Sequence, residues 1–463
     1  MTPDYEIYQS PFSWRYGSVE LRQLWSEVQK RRLWRQLWIA LAEVQAGFGL
    51  VQPDQLKDLR QHADDVNVSR SLEIEKEIQH DLMAEVKTFA EQCRVGGGII
   101  HLGATSMDIK DNADVLRLRQ SLDLIIEKLS RLITVFCDQI EQWADLPLMA
   151  FTHLQPAEPT TLGYRFAQYA QDLFVDWENL VRIRSNIRGK GFKGAVGTGA
   201  SYGDLLGIEN LEEFEGRLSE VIDLPFYPVS TQIYPRKQDY LVACALAGLG
   251  ASLYKFAFDL RFLQSPAIGE IAEPFGKKQV GSSAMPFKRN PIQAEKIDSL
   301  ARILAQMPRI TWDNEAHCIL EITLDESANR RSVLPEMFLI TDEILETATG
   351  IIKDLHIQRN SIDQNLATYG PFAATEKVLM AVCKRGADRQ EMHELLRTHS
   401  LEAWKAVQDG KPNPLATLIL NDEVILGYLP SPDLELLLDA THHLGDAPAR
   451  ARKLAQKLRR EIH

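Results

Sequence analysis

"NADVLRLRQSLDLIIEKLSRLITVFCDQIEQWAD", residues 112 to 145, runs for 34 residues without a glycine or a proline. Within it Val115, Leu118, Leu122, Ile125, Ile126, Leu129, Leu132, Ile133, Phe136 and Ile140 recur at steps of three and four, the spacing of one apolar stripe along a helix. At 1.5 Å per residue the predicted rod is roughly 50 Å long, against about a dozen residues for an ordinary helix. A rod of that length needs neighbours of similar length. Residues 160–187, 236–264, 291–307 and 326–355 have the composition to supply them, and five rods make a bundle. Strand signals are weak, although the glycine-rich stretch 189–203, "GKGFKGAVGTGASYG", reads as a loop or a short ribbon. The flanking segments read as smaller helical domains. The expectation is a mainly α chain of three domains: 1–111, a central long-helix bundle over 112–357, and 358–463.

At 463 residues, 45% hydrophobic and 25% charged, the chain has the make-up of a soluble globular protein too long for one compact core. Its formal charge of -12 argues against a nucleic-acid partner, since such proteins present a net basic face to phosphate. Cys93, Cys137, Cys244, Cys318 and Cys383 are scattered, odd in number and without a CxxC pair, which suggests free thiols in a reducing cytoplasm. The opening "MTPDYEIYQSPFSWRYGS" lacks the basic end and apolar run of a signal peptide. Residues 241–258, "LVACALAGLGASLYKFAF", approach spanning length, but their small residues and Lys255 fit a buried bundle helix, so no membrane is expected.

Three stretches carry chemistry. In "GSSAMPFKRNP", 281–291, small and cationic residues crowd a short span that reads as a mobile lid. Asn290 suits a helix N-cap and Pro291 a first helical position, with Glu295 in the first turns. A helix N-terminus beside Lys288 and Arg289 would favour an anion, including an ionised serine hydroxyl; a solvated loop before an ordinary helix explains the same residues about as well. In "FTHLQPAEPTTLGYR", 151–165, His153 can donate a proton near neutral pH, though a lone histidine between prolines is more often structural. "QHDLMAEV", with His80 and Asp81, and "HLGATSMDIKDNAD", with His101, Thr105 and Ser106, offer hydroxyls on a turn that suit carboxylate or phosphate oxygens, or that simply cap a helix with Asp108. No metal site is expected: His393 and His399 in "HELLRTH" fall on different helical faces and no HExxH occurs. Neither GxGxxG nor GxxxxGK[ST] is present, so no cofactor is expected.

Together these three stretches resemble the signature regions of the fumarase and aspartase superfamily, and GSSxMPxKxNP is a highly specific signal. Within it the chain is similar to the adenylosuccinate lyase family. That likeness extends over "WRYGSVE", "WRQLWIALAEVQ", "STQIYPRKQD", "TLDESANRR", "FAATEKVLMAV" and "GADRQEMHE". The resemblance implies a C–N lyase of purine biosynthesis that releases fumarate from adenylosuccinate, giving AMP, and from the succinylaminoimidazole carboxamide ribotide, giving AICAR. It implies three helical domains, assembly into a cytoplasmic homotetramer through the bundle, and active sites shared between subunits.

The resemblance also assigns roles. Ser282 matches the general base and His153 the general acid. His80 matches a histidine near the acid, Glu295 the carboxylate that orients and charges His153, and Lys288 with Asn290 the groups that hold the succinyl carboxylates. Thr105, Ser106, Thr152, Asp81 and Gln232 match further substrate contacts, and Arg15, Tyr16, Ser327 and Arg331 the grip on the nucleotide phosphate. The chain departs from the family pattern at Gln79 and Ile322, where arginines are usual, and at Lys296. Two missing guanidinium groups motivate a second reading, a paralogous C–N lyase acting on a different succinylated amine.

Overall fold

The glycine-free run folds as a single helix, Ser106–Trp143, of 38 residues. In the computed structural model, which describes residues 6–462, nine of the ten stripe residues are fully buried and only Ile126 is partly exposed. Each such side chain contributes on the order of 1.5–3 kcal/mol on leaving water, so burial rather than intrinsic propensity holds the rod. The other rods lie near their expected places: Leu162–Ser185, Lys237–Gln264, Ile292–Leu304 and Asp325–Lys353. The fourth stops short of the predicted 307, because Met307–Ala316 starts a separate helix with proline in its first turn, where the missing N–H costs nothing.

The chain divides into two compact units, Met1–Lys128 with Asp176–Ala251 and Leu300–Ile344, and Leu129–Val175 with Ser252–Ser299 and Leu345–His463. In the first unit the Glu27–Gly47 helix buries Trp34, Leu37, Trp38 and Leu41 in a core with Phe89, Ile109, Phe192, Tyr202 and Phe214. Its rods are cross-braced. Trp25 stacks on Phe338 at 6.0 Å, and Arg184 pairs with Asp123 at 2.6 Å. In the second unit Phe136 and Phe256 meet edge to face at 5.3 Å, and the Tyr169 hydroxyl donates to Asp259 Oδ2 at 2.7 Å. A separate apolar core there has its buried residues between 374 and 438, with Phe372 packed against them, carried by the helices Arg359–Lys384, Arg389–Gln408 and Ser431–Leu438 among others.

Two sequence expectations need correction. The proline-rich stretch around His153 is an antiparallel hairpin, Pro147–Thr152 against Gln155–Thr161. The glycine-rich stretch 189–203 is the expected loop as far as Gly199, with one isolated bridge from Gly189 to Phe226, and its end enters a short helix, Ala200–Leu206. The Lys237–Gln264 helix is long and apolar enough to cross a membrane, and half of its most apolar window is buried. It is therefore not a fully buried core helix: Leu241, Phe258 and Phe262 leave apolar surface exposed. All five cysteines are free.

Candidate active site

His80 caps the Asp81–Gln92 helix, its Nδ1 accepting the Met83 amide at 3.2 Å. In the neutral ring the proton therefore sits on Nε2, which lies 3.5 Å from Ser106 Oγ. Gln79 has left-handed backbone, φ 54°, and its side chain donates to the Lys76 carbonyl at 2.8 Å, closing its own helix. Asp81 is held by Lys110, whose Nζ lies 2.8 Å from Oδ2 and 3.1 Å from Oδ1, with Arg331 Nη2 at 3.5 Å. Burial pushes the Asp81 carboxyl upward, and the Lys110 ammonium outweighs it, leaving the group below the usual carboxylate range. Ser327 and Arg331 stand four residues apart, on one helical face, and share with Asp81, Lys110, Trp25 and Arg117 the wall of a cleft of about 100 Å³.

Two buried anchors position this group. Arg236 donates to Asp111 at 3.0 and 3.1 Å and to Glu326 at 2.6 and 2.7 Å, while Arg330 donates to Asp239 at 3.0 Å and to the Tyr234 hydroxyl at 2.6 Å. Glu326 and Arg330 precede Ser327 and Arg331 directly, so the network fixes the helix turn that presents them. Such buried charges are tolerable only when every partner is in place. The second anchor is Asp108, which accepts from Lys190 Nζ, from the Thr105 amide at 2.9 Å, from the Lys193 and Gly194 amides at 3.2 Å and from the Tyr202 hydroxyl at 3.2 Å. It ties the glycine-rich loop to the turn carrying Thr105 and Ser106. Gln232 is half-buried in the segment before Tyr234. Arg15, exposed, and Tyr16, half-buried, follow the turn Pro11–Ser13 in the same unit and are not among the residues lining the cleft.

The second unit holds the remaining candidates. Ser282 Oγ accepts two backbone amides, Met285 at 3.0 Å and Ala284 at 3.3 Å. Donors aimed at a hydroxyl oxygen favour its deprotonated form. The signature loop is closed on itself: Lys288 N donates to the Met285 carbonyl at 3.0 Å, and Asn290 Nδ2 donates to the Gly281 carbonyl at 3.1 Å. Asn290 is thus not the side-chain cap expected for the next helix. Glu273 takes that place, accepting from the amides of Gln293 and Ala294 at 3.1 Å. Burial raises the Glu273 carboxyl against the pull of those amides. The helix end therefore already holds a carboxylate, which removes it as the anion site the sequence suggested.

His153 and Leu154, with φ 52° and 58°, form the two-residue turn between Thr152 and Gln155. Two consecutive non-glycine residues at positive φ are costly, and such strain persists where surrounding structure imposes it. Thr152, His153, Lys288 and Glu295 are all exposed. Among the described residues of one chain, the expected pairing of Glu295 with His153 is not formed. The hairpin tip and the helix each project their side chains to solvent.

A family model described as a lyase matches residues 19–304, and one described as the adenylosuccinate lyase C-terminus matches residues 371–454. Adenylosuccinate lyases of Schizosaccharomyces pombe and Saccharomyces cerevisiae are 38% and 37% identical to the chain, each over 98% of it and 95% of the relative. That of Schistosoma mansoni is 39% identical over 96% of the chain and 93% of its own length.

The chain belongs to the adenylosuccinate lyase family.

As a member it is a C–N lyase. The solved structure of a fumarate lyase from Mesorhizobium sp. BNC1 superposes with a TM-score of 0.84 at 23% identity, covering 97% of this chain and 99% of that one. A 3-carboxy-cis,cis-muconate lactonizing enzyme from Pseudomonas putida gives 0.85 at 24%, covering 97% and 100%. At that identity the likeness shows the fold. Sequence reasoning missed Lys110, the Arg236–Arg330 network and Glu273. Lys110, Arg236 and Arg330 had a trace, in the quoted "HLGATSMDIKDNAD", "YPRKQD" and "TLDESANRR".

Proposed function

We propose that the chain eliminates fumarate from adenylosuccinate, giving AMP, and from the succinylaminoimidazole carboxamide ribotide, giving AICAR, as a cytoplasmic homotetramer without a cofactor. The observation that carries the mechanism is the pair of amides on Ser282 Oγ. Ser282 takes the proton from the carbon beside the succinyl carboxylate. The C–H electron pair becomes the new C=C bond, the C–N bond breaks onto nitrogen, and His153 protonates the departing amine. The doubly charged aci-carboxylate formed on the way needs donors and cations already in place, the task of Lys288, Asn290, Thr105, Ser106 and Thr152. Glu295 orients and charges the acid, His80 stands near it, Gln232 holds the substrate, and Arg15, Tyr16, Ser327 and Arg331 hold its phosphate.

Shared sites follow from the same reading. His153, Lys288 and Glu295 are exposed on a single chain, and the Lys237–Gln264 helix offers Leu241, Phe258 and Phe262 to solvent, a surface suited to a second copy. The division 1–111, 112–357 and 358–463 is supported at its second boundary by the separate apolar core between 374 and 438. Fumarate release from each of the two substrates, followed by ultraviolet absorbance, tests the activity. Turnover of neither, with release from another succinylated amine, would favour the paralogue reading that Gln79 and Ile322 raise.

A further inference from the structure

We infer that Lys110 is a specificity-determining residue that, with Arg331, forms a two-cation clamp for the substrate's phosphate; this rests on the reading of the cleft as the phosphate end of the site. The cleft's charged side chains are mostly committed elsewhere. Arg117 pairs with Asp114 and lies over the Trp25 ring at 4.5 Å; Arg330 is fixed by Asp239 and Tyr234. Lys110 and Arg331 differ, because a single carboxylate, Asp81, bridges both at 2.8 and 3.5 Å. One negative charge shared by two cations leaves the group net positive. The Ser327 hydroxyl stands on the face that carries Arg331, and Lys110 is one helical turn beyond Ser106.

A dianionic phosphate entering here meets an ammonium and a guanidinium whose spacing Asp81 has already set, so little side-chain freedom is lost on binding. Gln79 cannot contribute a charge, and its side chain is occupied by the Lys76 carbonyl. Lys110 therefore supplies the cation that makes this cleft select a nucleotide over its nucleoside.

The test compares Lys110→Ala and Lys110→Met with the unaltered chain, the methionine variant keeping the aliphatic stem in case the alanine variant folds poorly. Binding of AMP and of adenosine is measured by calorimetry, alongside KM and kcat for adenylosuccinate. One charged hydrogen bond lost predicts AMP affinity and KM worse by at least about tenfold, with kcat within about threefold and adenosine affinity unchanged. Lys110→Arg should recover most of the AMP affinity. Equal losses for AMP and adenosine, or no loss for either, overturn the inference. An unaltered chain that neither turns over adenylosuccinate nor binds AMP would instead sink the functional reading beneath it.

Discussion

The Lys288 carbonyl oxygen occupies the space that a β-carbon on Gly281 would need. The signature loop closes at that contact, which places the backbone of the cation directly against the residue before Ser282. Gly281→Ala must push the two strands of the loop apart, and with them Lys288 from Ser282. The loop is exposed, so the melting temperature should stay within a few degrees while kcat falls by about two orders of magnitude, as misplacement of a reacting group predicts. Unchanged kcat would mean that the loop geometry does not position the base.

Ser282→Ala removes the oxygen that two amides address and nothing else of the loop's backbone. We expect kcat to fall on the order of 10²–10⁴-fold with adenylosuccinate still bound, as for a group needed at proton transfer. Ser283, exposed, provides the control. If Ser283→Ala is the more damaging change, the base assignment moves by one residue.

Arg236 sits fully inside the first unit between Asp111 and Glu326. Arg236→Met takes from both buried carboxylates the guanidinium that hydrogen-bonds them and leaves Arg330, at 3.8 and 3.9 Å, as their nearest remaining cation, a loss approaching the ~3–5 kcal/mol of a broken buried pair. Urea denaturation should show the midpoint falling. A companion rise in KM is expected, because Glu326 holds the turn that presents Ser327.

How far the sequence foretells all this depends on the range of the interactions. The rods were legible because each writes its own burial as a stripe of period 3.6, as Val115 to Ile140 do. The hairpin under His153 was not, because Pro156 and Pro159 speak against strands, and their places opposite Phe151 and Met149 are set by pairing. Glu273 caps a helix some twenty residues downstream, and Lys110 reaches Asp81 across 29 residues. A lysine on a helix or an arginine before a helix reads as surface until the fold brings its carboxylate. Catalytic candidates could be named because their motif is specific, while Lys110, Arg236 and Arg330 lie inside quoted stretches without a pattern that marks their partners.

His101 gives a pH prediction. Its Nδ1 accepts the Trp38 indole N–H at 3.1 Å, and burial lowers the ring's pKa from its ordinary value, with Asp108 opposing. The unfolded ring takes up a proton near pH 6.5 that the folded ring refuses. Stability should therefore be flat above that value and decline as pH falls from about 6.5 towards the lowered folded pKa. His101→Asn, which keeps an acceptor and tolerates the residue's φ of 70°, should flatten this part of the profile. Chemical denaturation at a series of pH values would read it, and an identical slope in the variant would assign the effect to another group.

Sites completed by different subunits make a quantitative claim. If one chain supplies Ser282 and another His153, neither Ser282→Ala nor His153→Ala protein has a working site alone. In a randomly mixed tetramer a site is intact when its Ser282 comes from the histidine variant and its His153 from the serine variant. Each condition holds half the time, so an equal mixture should regain about a quarter of full activity. If both residues of a site come from one chain, no mixed site is intact, and recovery is nil however long the subunits exchange. Co-expression with two different tags, purification through both and assay of fumarate release separates the two arrangements.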